Sequence, residues 1–243
     1  MKKYTQLLVA VLMVFALFSP VFLQAGVADR IYTEGGVLIP SGGSIDNGRT
    51  NQELKQFGYN TFDGNKIGEV QHQGQTSYTA LVGFEVSTRS WYTLSTEFQM
   101  SAAGFHWDGK PYKLFNQFTG QHVGTIFVSQ EKEVKFYSFN VKTRFTPNKY
   151  LRPFVELCGG PMTVRSSDRT FRPDTRFDVT QITEETSAAG KFGGGLGILI
   201  LPSKIGDCLE IIASGAYVQG LSGTLVKEMA FPFFSGGLKV KFS

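Results

Sequence analysis

The sequence predicts an all-β protein, an eight-stranded antiparallel up-and-down transmembrane β-barrel with long outer loops. Three observations predict this fold: a leader typical of exported proteins, segments in which apolar and polar residues alternate, and connections that are alternately short and long. Backbone N–H and C=O groups need partners in hydrocarbon, so a sheet crosses a bilayer only when it closes into a barrel. Tilted strands of about ten residues are long enough to cross.

The amino terminus has the three parts of a secretory signal. Two lysines precede an apolar run over 7–18, and small residues follow a break at Pro20. A positive start, an apolar middle and a small-residue exit are typical of a cleaved signal peptide. The alternative is a membrane-anchoring helix, which the short, interrupted run disfavours. We therefore predict a signal peptide over 1–25 and a single barrel domain over 26–243.

The carboxyl-terminal segment shows the alternation most clearly, with Leu238 and Val240 on one face and Lys239 and Lys241 on the other. Seven earlier segments alternate in the same way, at 30–39, 77–87, 91–103, 134–145, 150–160, 187–201 and 209–218. In chain order, the apolar and charged residues that mark the two faces are Val37 and Glu34, Phe84 and Glu85, Phe98 and Glu97, Val141 and Lys142, Val155 and Glu156, Phe192 and Lys191, Ile211 and Glu210, and Leu238 and Lys239. An oily face and a charged face suit a wall between lipid and a polar interior.

The connections between these segments are alternately short and long. Short turns at 88–90, 146–149 and 202–207 consist of residues that favour turns. Long polar stretches at 40–76, 104–133 and 160–186 lie between them, with a shorter one at 219–227. Short turns at one end and long loops at the other are typical of bacterial outer-membrane barrels. An even strand number puts both termini on the periplasmic side.

Composition excludes other classes of protein. The formal net charge of +4 includes two lysines of the leader, so the mature chain has no basic field for nucleic acid. Glycine and phenylalanine are abundant, at 28 and 22 residues, and with little helical periodicity they favour β-structure with tight turns. Cys158 and Cys208 could pair in an oxidising periplasm. We expect free thiols, because the two predicted strands are separated by a third.

The predicted inward faces carry acids and bases in comparable number. Such groups in a narrow lumen are expected to pair with one another and to fill it, rather than to line an aqueous pore. The predicted network comprises Glu34, Glu85, Glu97, Lys142, Arg144, Arg152, Glu156, Lys191, Glu210 and Lys239.

Motifs for catalysis or metal binding are weak. His72, His106 and His122 all fall in predicted outer loops, and no His-x-x-His or Cys-x-x-Cys spacing supports a metal site. The glycine run over 193–197 lacks the order of a nucleotide-binding loop and no helix follows it. Glycines that let a crowded strand bend, or that make room for bulky lumen side chains, are the better explanation of that run. We expect no enzyme activity, no metal and no cofactor.

Two predicted loops contain more aromatic or charged residues than a solvated connection requires. Loop 104–133 is rich in aromatic residues, which either pack on the rim of the barrel or contact an apolar solute or a partner. These aromatic residues are Phe105, Trp107, Tyr112, Phe115 and Phe118. Loop 160–186 interleaves arginine and aspartate, which suits either lipopolysaccharide phosphates or internal salt bridges.

Two segments resemble small outer-membrane barrels. Over 145–160 a Thr-Pro-Asn turn leads into Arg152-Pro153-Phe154-Val155 and then glycines, and 232–242 resembles the last strand of such barrels. The outer membrane protein W family is the nearest of these. Two features depart from the pattern: Ser243 follows the terminal aromatic residue, and Glu156 and Cys158 stand where small residues are usual. The resemblance implies a narrow barrel that passes small hydrophobic compounds from an outer pocket sideways into the membrane.

The functional expectation follows from the fold and the resemblance. The leading hypothesis is a non-enzymatic outer-membrane barrel that conducts small hydrophobic solutes. The alternative is a surface adhesion or structural barrel whose loops bind a host, a partner or lipopolysaccharide. Modification of lipid A is a third, disfavoured hypothesis. Expected partners are outer-membrane lipid, lipopolysaccharide, the outer-membrane assembly machinery and a small hydrophobic ligand, with no nucleic acid.

Overall fold

The computed structural model describes residues 30–41, 44–45, 59–61, 70–71, 73–108, 112–147, 150–172, 177–200 and 209–241. The predicted signal peptide, His72 and Cys208 lie outside these residues. No helix in the described part of the chain is long and apolar enough to cross a membrane. The strands are β1 (Ile31–Pro40), β2 (Ser44–Ile45), β3 (Tyr59–Thr61), β4 (Val70–Gln71), β5 (Gln73–Gln75), β6 (Ser77–Thr88), β7 (Tyr92–Asp108), β8 (Tyr112–Asn116), β9 (His122–Phe145), β10 (Leu151–Arg172), β11 (Phe177–Leu199), β12 (Leu209–Gly220) and β13 (Ala230–Lys241).

Eight of these strands close into a ring. The order around it is β1-β6-β7-β9-β10-β11-β12-β13, and every neighbouring pair is antiparallel. β13 returns to β1, with Tyr32 opposite Lys241 and Pro40 opposite Phe233, so the sheet has no open edge at this level. The predicted eight-stranded antiparallel barrel is confirmed.

The strands on one side of the barrel are much longer than predicted. β9, β10 and β11 contain 24, 22 and 23 residues, more than twice the roughly 9–11 that cross a bilayer. Most of the stretches predicted as outer loops, 104–133 and 160–186, is paired strand that continues beyond the closed ring. β8 and β5 pair with the outer parts of β9 and β7, and β3 pairs with β8.

The outward surface is apolar at the level of the closed ring. Large apolar side chains project outward and stay exposed, among them Phe98, Phe139, Leu157, Phe192 and Phe234. Two groups of aromatic side chains border this belt: Trp91, Tyr92 and Tyr150 at the short-turn end, and Tyr78, Tyr137 and Tyr217 at the outer end. An apolar band between aromatic girdles, around a charged interior, is the surface of a membrane-spanning barrel of the bacterial outer-membrane type.

The interior has two layers of different chemistry. Near the short-turn end, buried carboxylates, lysines and arginines fill the lumen; we call this the charged layer, and its residues are Tyr32, Glu34, Glu85, Glu97, Lys142, Arg144, Glu156, Lys191, Glu210, Lys239 and Lys241. Towards the outer end the buried side chains are apolar. This apolar layer comprises Leu38, Ala103, Phe105, Val134, Phe136, Met162, Val164, Ala189, Ala216, Val218, Val226, Met229, Phe231 and Phe233. Cys158, a free buried thiol, packs in the same cluster.

Glycines make room for the largest lumen side chains. A Cβ atom at Gly83 would collide with the ring of Tyr32, and one at Gly197 would collide with the carboxylate of Glu210. A Cβ atom at Gly195 would lie 2.8 Å from Cζ of Phe154. The glycine run on β11 therefore serves close packing in the lumen, as the sequence predicted.

Candidate functional site

Lys142 lies at the centre of the charged layer. Its Nζ atom is 2.8 Å from Oε1 of Glu97, 3.3 Å from Oε2 of Glu34 and 3.8 Å from Oε2 of Glu156. The hydroxyl of Tyr32 donates to Glu97 and to Oγ of Ser95. One buried cation is thus shared by three carboxylates that come from three other strands, which ties opposite sides of the barrel together.

Polar side chains continue this network towards the apolar layer. Nζ of Lys191 lies 2.7 Å from Oε1 of Glu156 and donates to Oε1 of Gln99 at 2.6 Å. Nδ2 of Asn140 donates to the same Gln99 oxygen at 2.8 Å. Because Lys191 contacts both Glu156 and Gln99, β7, β10 and β11 are joined across the lumen.

A second group of ions lies nearer the short-turn end. Glu85 accepts from Lys241 at 2.8 Å and lies 3.5 Å from Lys239. Lys239 also sits over the ring of Tyr32, 3.8 Å from its centroid. Arg144 and Glu210 approach to 3.7 Å. Arg152 lies half-buried on the inward face of β10.

All ten residues of the predicted lumen network are thus inside the barrel, and opposite charges adjoin one another. Burying such ions is costly unless they are paired. The close contacts of Lys142 and Lys191 offset part of that cost, whereas Nε and Nη2 of Arg144 and Oε1 of Glu210 are buried without a hydrogen-bond partner among the described residues. That these side chains close the lumen to water stays a prediction.

A short segment covers the apolar layer from outside. Residues 221–229, which we call the lid, connect β12 to β13, and the side chains of Val226 and Met229 are buried in the apolar layer. Leu225 packs against the same cluster. At Gly223 the backbone has a φ of +82°, which favours glycine. The lid therefore contributes apolar side chains to the core that it covers.

Two side chains fasten the lid to β11, the carboxylate of Glu185 and the hydroxyl of Ser222. Oγ of Ser222 accepts the backbone N–H of Ala188 at 3.2 Å and lies 2.5 Å from Oγ of Ser187. Glu185 on β11 accepts the backbone N–H groups of Thr224 at 2.9 Å, Leu225 at 2.5 Å and Val226 at 3.1 Å. The hydrogen bond from Thr224, supported by those from Val226 and Leu225, holds the pKa of Glu185 below its ordinary value against a smaller opposing effect of burial. The ionised carboxylate is therefore the form that holds the lid.

Lys132 is a buried cation above the apolar layer. Its side chain is 1% exposed, and it lies in register with Phe105 on β7 and Ser166 on β10. Burial lowers the pKa of Lys132, and the carboxylates of Glu228 and Asp168 partly offset that effect. This residue falls in the stretch predicted as loop 104–133. The alternation of side chains along β9 could have shown that it faces the lumen, because Lys132, Val134 and Phe136 continue the inward face of that strand.

The predicted aromatic contact residues do not form one surface. Phe105 is buried in the apolar layer, where its ring meets that of Phe231 edge-on at 4.8 Å, so its assignment to an outer loop was wrong. Trp107, on the same face of β7, packs against a second small apolar cluster. Tyr112 and Phe115 belong to β8, and the Phe115 ring lies 5.4 Å from that of His122.

Phe118, in contrast to Phe105 and Trp107, projects freely. It lies in the tight turn between β8 and β9 and is 87% exposed. Oδ1 of Asn116 accepts the backbone N–H groups of Phe118 at 2.8 Å and Thr119 at 3.0 Å, and Gly120 has a φ of +67°. The turn is therefore well defined even though its aromatic side chain has no apolar cover.

The outer parts of β9, β10 and β11 form what we call the projecting sheet, residues 127–135, 163–171 and 178–186. Its outward face is mixed: the rings of Phe127 and Phe171 lie 6.3 Å apart, and Arg169 forms a two-pronged pair with Asp178 at 2.6 and 2.9 Å. The arginine–aspartate pattern that suggested either phosphate binding or internal salt bridges thus gives a salt bridge at this pair. Ile182 is exposed on the same face.

The described residues give few leads to catalysis. No group of three His, Cys, Asp or Glu side chains in the described ranges could hold a metal ion. His106 pairs with Glu131, with Nδ1 3.5 Å from a carboxylate oxygen, on the outer part of β7. His122 begins β9 beside Phe115.

Comparison with known proteins gives structural likeness only. No protein-family model and no curated protein sequence matches the chain. It is similar in structure to Ail, the attachment invasion locus protein of Yersinia pestis, with 13% identity over 88% of this chain and 99% of that one and a TM-score of 0.44.

Two further structures have similar values. The outer-membrane protease OmpT from Escherichia coli is 11% identical over 88% of this chain and 97% of that one, with a TM-score of 0.49. The outer membrane protein OprG from Pseudomonas aeruginosa is 12% identical over 88% and 96%, with a TM-score of 0.39. Such values say nothing about function, and the membrane-barrel assignment rests on the geometry described above. Kinship with the outer membrane protein W family stays a prediction.

Proposed function

We propose that this protein is a non-enzymatic outer-membrane barrel whose projecting sheet binds a partner outside the cell. The observation that carries the proposal is the length of β9, β10 and β11, at 24, 22 and 23 residues, although about 9–11 suffice to cross. Ordering further residues costs conformational entropy and adds nothing to the crossing itself. A regular sheet above the lipid holds its side chains more rigidly than a loop does, which suits a binding surface.

The filled interior supports the same assignment. Paired ions occupy the lumen near the short-turn end, and apolar side chains under the lid occupy it towards the outer end. A barrel packed in this way serves as a rigid base for what it carries outside. The surface role, the alternative hypothesis of the sequence analysis, thus becomes the leading one.

The proposal includes the cellular setting. Residues 1–25 would direct export and be removed, and residues 26–243 would insert into the outer membrane of a Gram-negative bacterium. Lipid and lipopolysaccharide would contact the apolar belt between the girdles. The outer-membrane assembly machinery would act on the chain during insertion, with β13 as the terminal strand that it recognises.

Shortening the sheet tests the proposal. Met162 and Ser187 lie opposite each other on β10 and β11, so an Asn-Gly turn can join them and replace 163–186. A control variant replaces only 173–176 by Asn-Gly and keeps the sheet. We expect attachment of bacteria to cultured animal cells, to glass or to one another to fall to the level without the protein only in the shortened variant. Equal attachment by both variants would refute the proposal.

A conduit for small hydrophobic solutes is the second candidate. The apolar layer favours it, because Phe105, Phe136 and Phe231 give the outer half of the lumen an oily lining. Uptake of an apolar fluorescent dye into vesicles with the protein measures this activity. A conduit requires faster uptake than in empty vesicles and a changed rate in Phe105→Ala; equal rates in all three would exclude it.

A further inference from the structure

The projecting sheet ends in a strand with one open edge. β11 pairs with β10 over its whole length, up to Arg172 opposite Phe177. Its pairing with β12 ends at Ala189 opposite Gly220. Two further hydrogen bonds reach the lid, one from Leu221 N–H to the carbonyl of Ala188 and one from Ala188 N–H to Oγ of Ser222. Beyond that point, no strand among the described residues pairs with the other side of 178–186.

The hydrogen-bonding pattern identifies the groups that face the open side. Leu199 donates to Tyr150 on the β10 side, and the register between β10 and β11 has no shift. In an antiparallel ladder alternate residues turn to opposite sides, so odd-numbered residues of β11 bond to β10. The even-numbered ones turn away, as Ala188 does when its carbonyl accepts from Leu221. The residues with N–H and C=O groups towards the open side are therefore Asp178, Thr180, Ile182, Glu184 and Thr186.

This edge lacks several of the features that protect exposed strands, although it carries three acidic side chains. Such edges are commonly blocked by proline, a bulge or lysine, whereas 177–190 contains no proline, no register shift and no basic residue. Its acidic groups are Asp178, which pairs with Arg169, Glu185, which holds the lid, and Glu184. Glu184 is exposed and lies opposite Arg165 of β10, although no ion pair within 4 Å joins it to a described cation. The edge is regular, open and acidic.

We propose that the open edge of β11 over 178–186 accepts an extended, basic peptide segment of an extracellular protein as an additional antiparallel strand. Main-chain hydrogen bonds would supply affinity, and alternate side-chain contacts, a lysine beside Glu184 among them, would supply selectivity. The inference rests on the proposed surface function and names the kind of partner that this function would use.

A second copy in the same membrane does not fit this edge. Two barrels inserted the same way up can bring these edges face to face only by a half-turn about the membrane normal. Strands tilted by about 35–45° from that normal would then cross at about 70–90°, which does not allow ladder pairing. An extended segment from outside the membrane has no such restriction.

Backbone methylation of a probe peptide tests the pairing directly. The protein is refolded into lipid nanodiscs and mixed with a labelled peptide of about nine residues, in which Lys and Thr alternate with Val. At about 1 kcal/mol for each hydrogen bond, N-methyl groups on the alternate residues that face β11 should weaken binding at least tenfold. N-methyl groups on the other alternate residues should change it less than about threefold. Absence of peptide binding, or equal loss with both methylated peptides, would overturn the inference.

A proline substitution tests the same edge from the side of the protein. Ile182 turns its N–H to the open side, so Ile182→Pro removes a donor there and leaves the β10 ladder intact, as edge prolines do. Ile182→Ala is the control that loses the side chain but keeps the donor. We expect at least tenfold weaker peptide binding for Ile182→Pro and less than about threefold for Ile182→Ala. Equal binding by the two variants would overturn the inference.

The attachment assay separates this inference from the proposed function. If shortening the sheet abolishes attachment and Ile182→Pro leaves it intact, the surface function stands and strand addition falls. If shortening leaves attachment unchanged, the proposed function falls. Loss of attachment in both variants, with Ile182→Ala unaffected, supports both.

Discussion

The barrel interior is filled by paired ions near the short-turn end and by apolar side chains under a lid towards the outer end. In the charged layer each side chain depends on a particular partner, because an unpaired buried charge is very costly. In the apolar layer the attraction is non-directional and roughly proportional to buried area. The charged layer should therefore be intolerant of single changes, whereas the apolar layer should lose stability in proportion to the volume removed.

The largest expected effect comes from removing the central cation. Lys142→Met leaves Glu34, Glu97 and Glu156 without the ammonium group that they share, which should cost about 3–5 kcal/mol. Urea unfolding in lipid vesicles, followed by the fluorescence of Trp91 and Trp107, measures the free energy of unfolding.

The matched control for Lys142 lies on the same strand. Lys135 is exposed on the outward side of β9, so Lys135→Met should change the free energy of unfolding by less than about 0.5 kcal/mol. If the two methionine variants lose the same stability, the ions of the charged layer are not coupled as the distances indicate.

The charged layer could be predicted from sequence, and the reason is physical. In the closed ring, apolar side chains face the lipid and polar side chains face the narrow lumen, so the two kinds alternate strictly along each strand. The apolar neighbours Phe98 and Val141 therefore identify Glu97 and Lys142 as lumen residues. Which acid meets which base could not be predicted. Pairing partners depend on the register between strands, which the alternation within one strand leaves open.

The apolar layer and the projecting sheet were missed for a related reason. Above the lipid the outward face no longer has to be apolar, and Glu133, Arg165 and Glu184 occupy outward positions there. The alternation of apolar outward and polar inward residues therefore ends above the lipid, although the strands continue. Phe105 was assigned to a loop on this account, although it continues the inward parity of Glu97 on β7.

A smaller effect is expected for a void in the apolar layer. Phe105→Ala removes a buried ring that contacts Phe231 and should lower the free energy of unfolding by about 3 kcal/mol. Phe118→Ala is the control, since that ring is 87% exposed in the turn between β8 and β9, and it should cost less than about 0.5 kcal/mol. An equal loss in both variants would show that the apolar layer is not packed as a core.

The smallest expected effect is local to the lid. Glu185→Gln replaces a carboxylate that accepts three backbone N–H groups by a neutral amide with one acceptor oxygen. Hydrogen bonds to charged groups contribute about 1.5–3 kcal/mol, and partial exposure of Glu185 reduces this value. We expect roughly tenfold lower protection of the amides of Thr224, Leu225 and Val226 in hydrogen exchange, with global stability almost unchanged. Glu184→Gln, on the opposite face of the strand, should leave that protection intact.

The acid dependence of the lid distinguishes a carboxylate clamp from simple apolar packing. The pKa of Glu185 is depressed in the folded state, so its contribution is complete at neutral pH and is lost as the pH falls through that lowered value. Wild-type protection of the three lid amides should therefore fall towards the Glu185→Gln level in acid, whereas the variant should show no such step. The amides of apolar-layer residues on the barrel strands, such as Val134 and Val164, should keep their protection over the same range. A lid that stays equally protected across the range in wild type would mean that Val226 and Met229 hold it by burial alone, which would make the lid part of the apolar core and not a separately fastened cover.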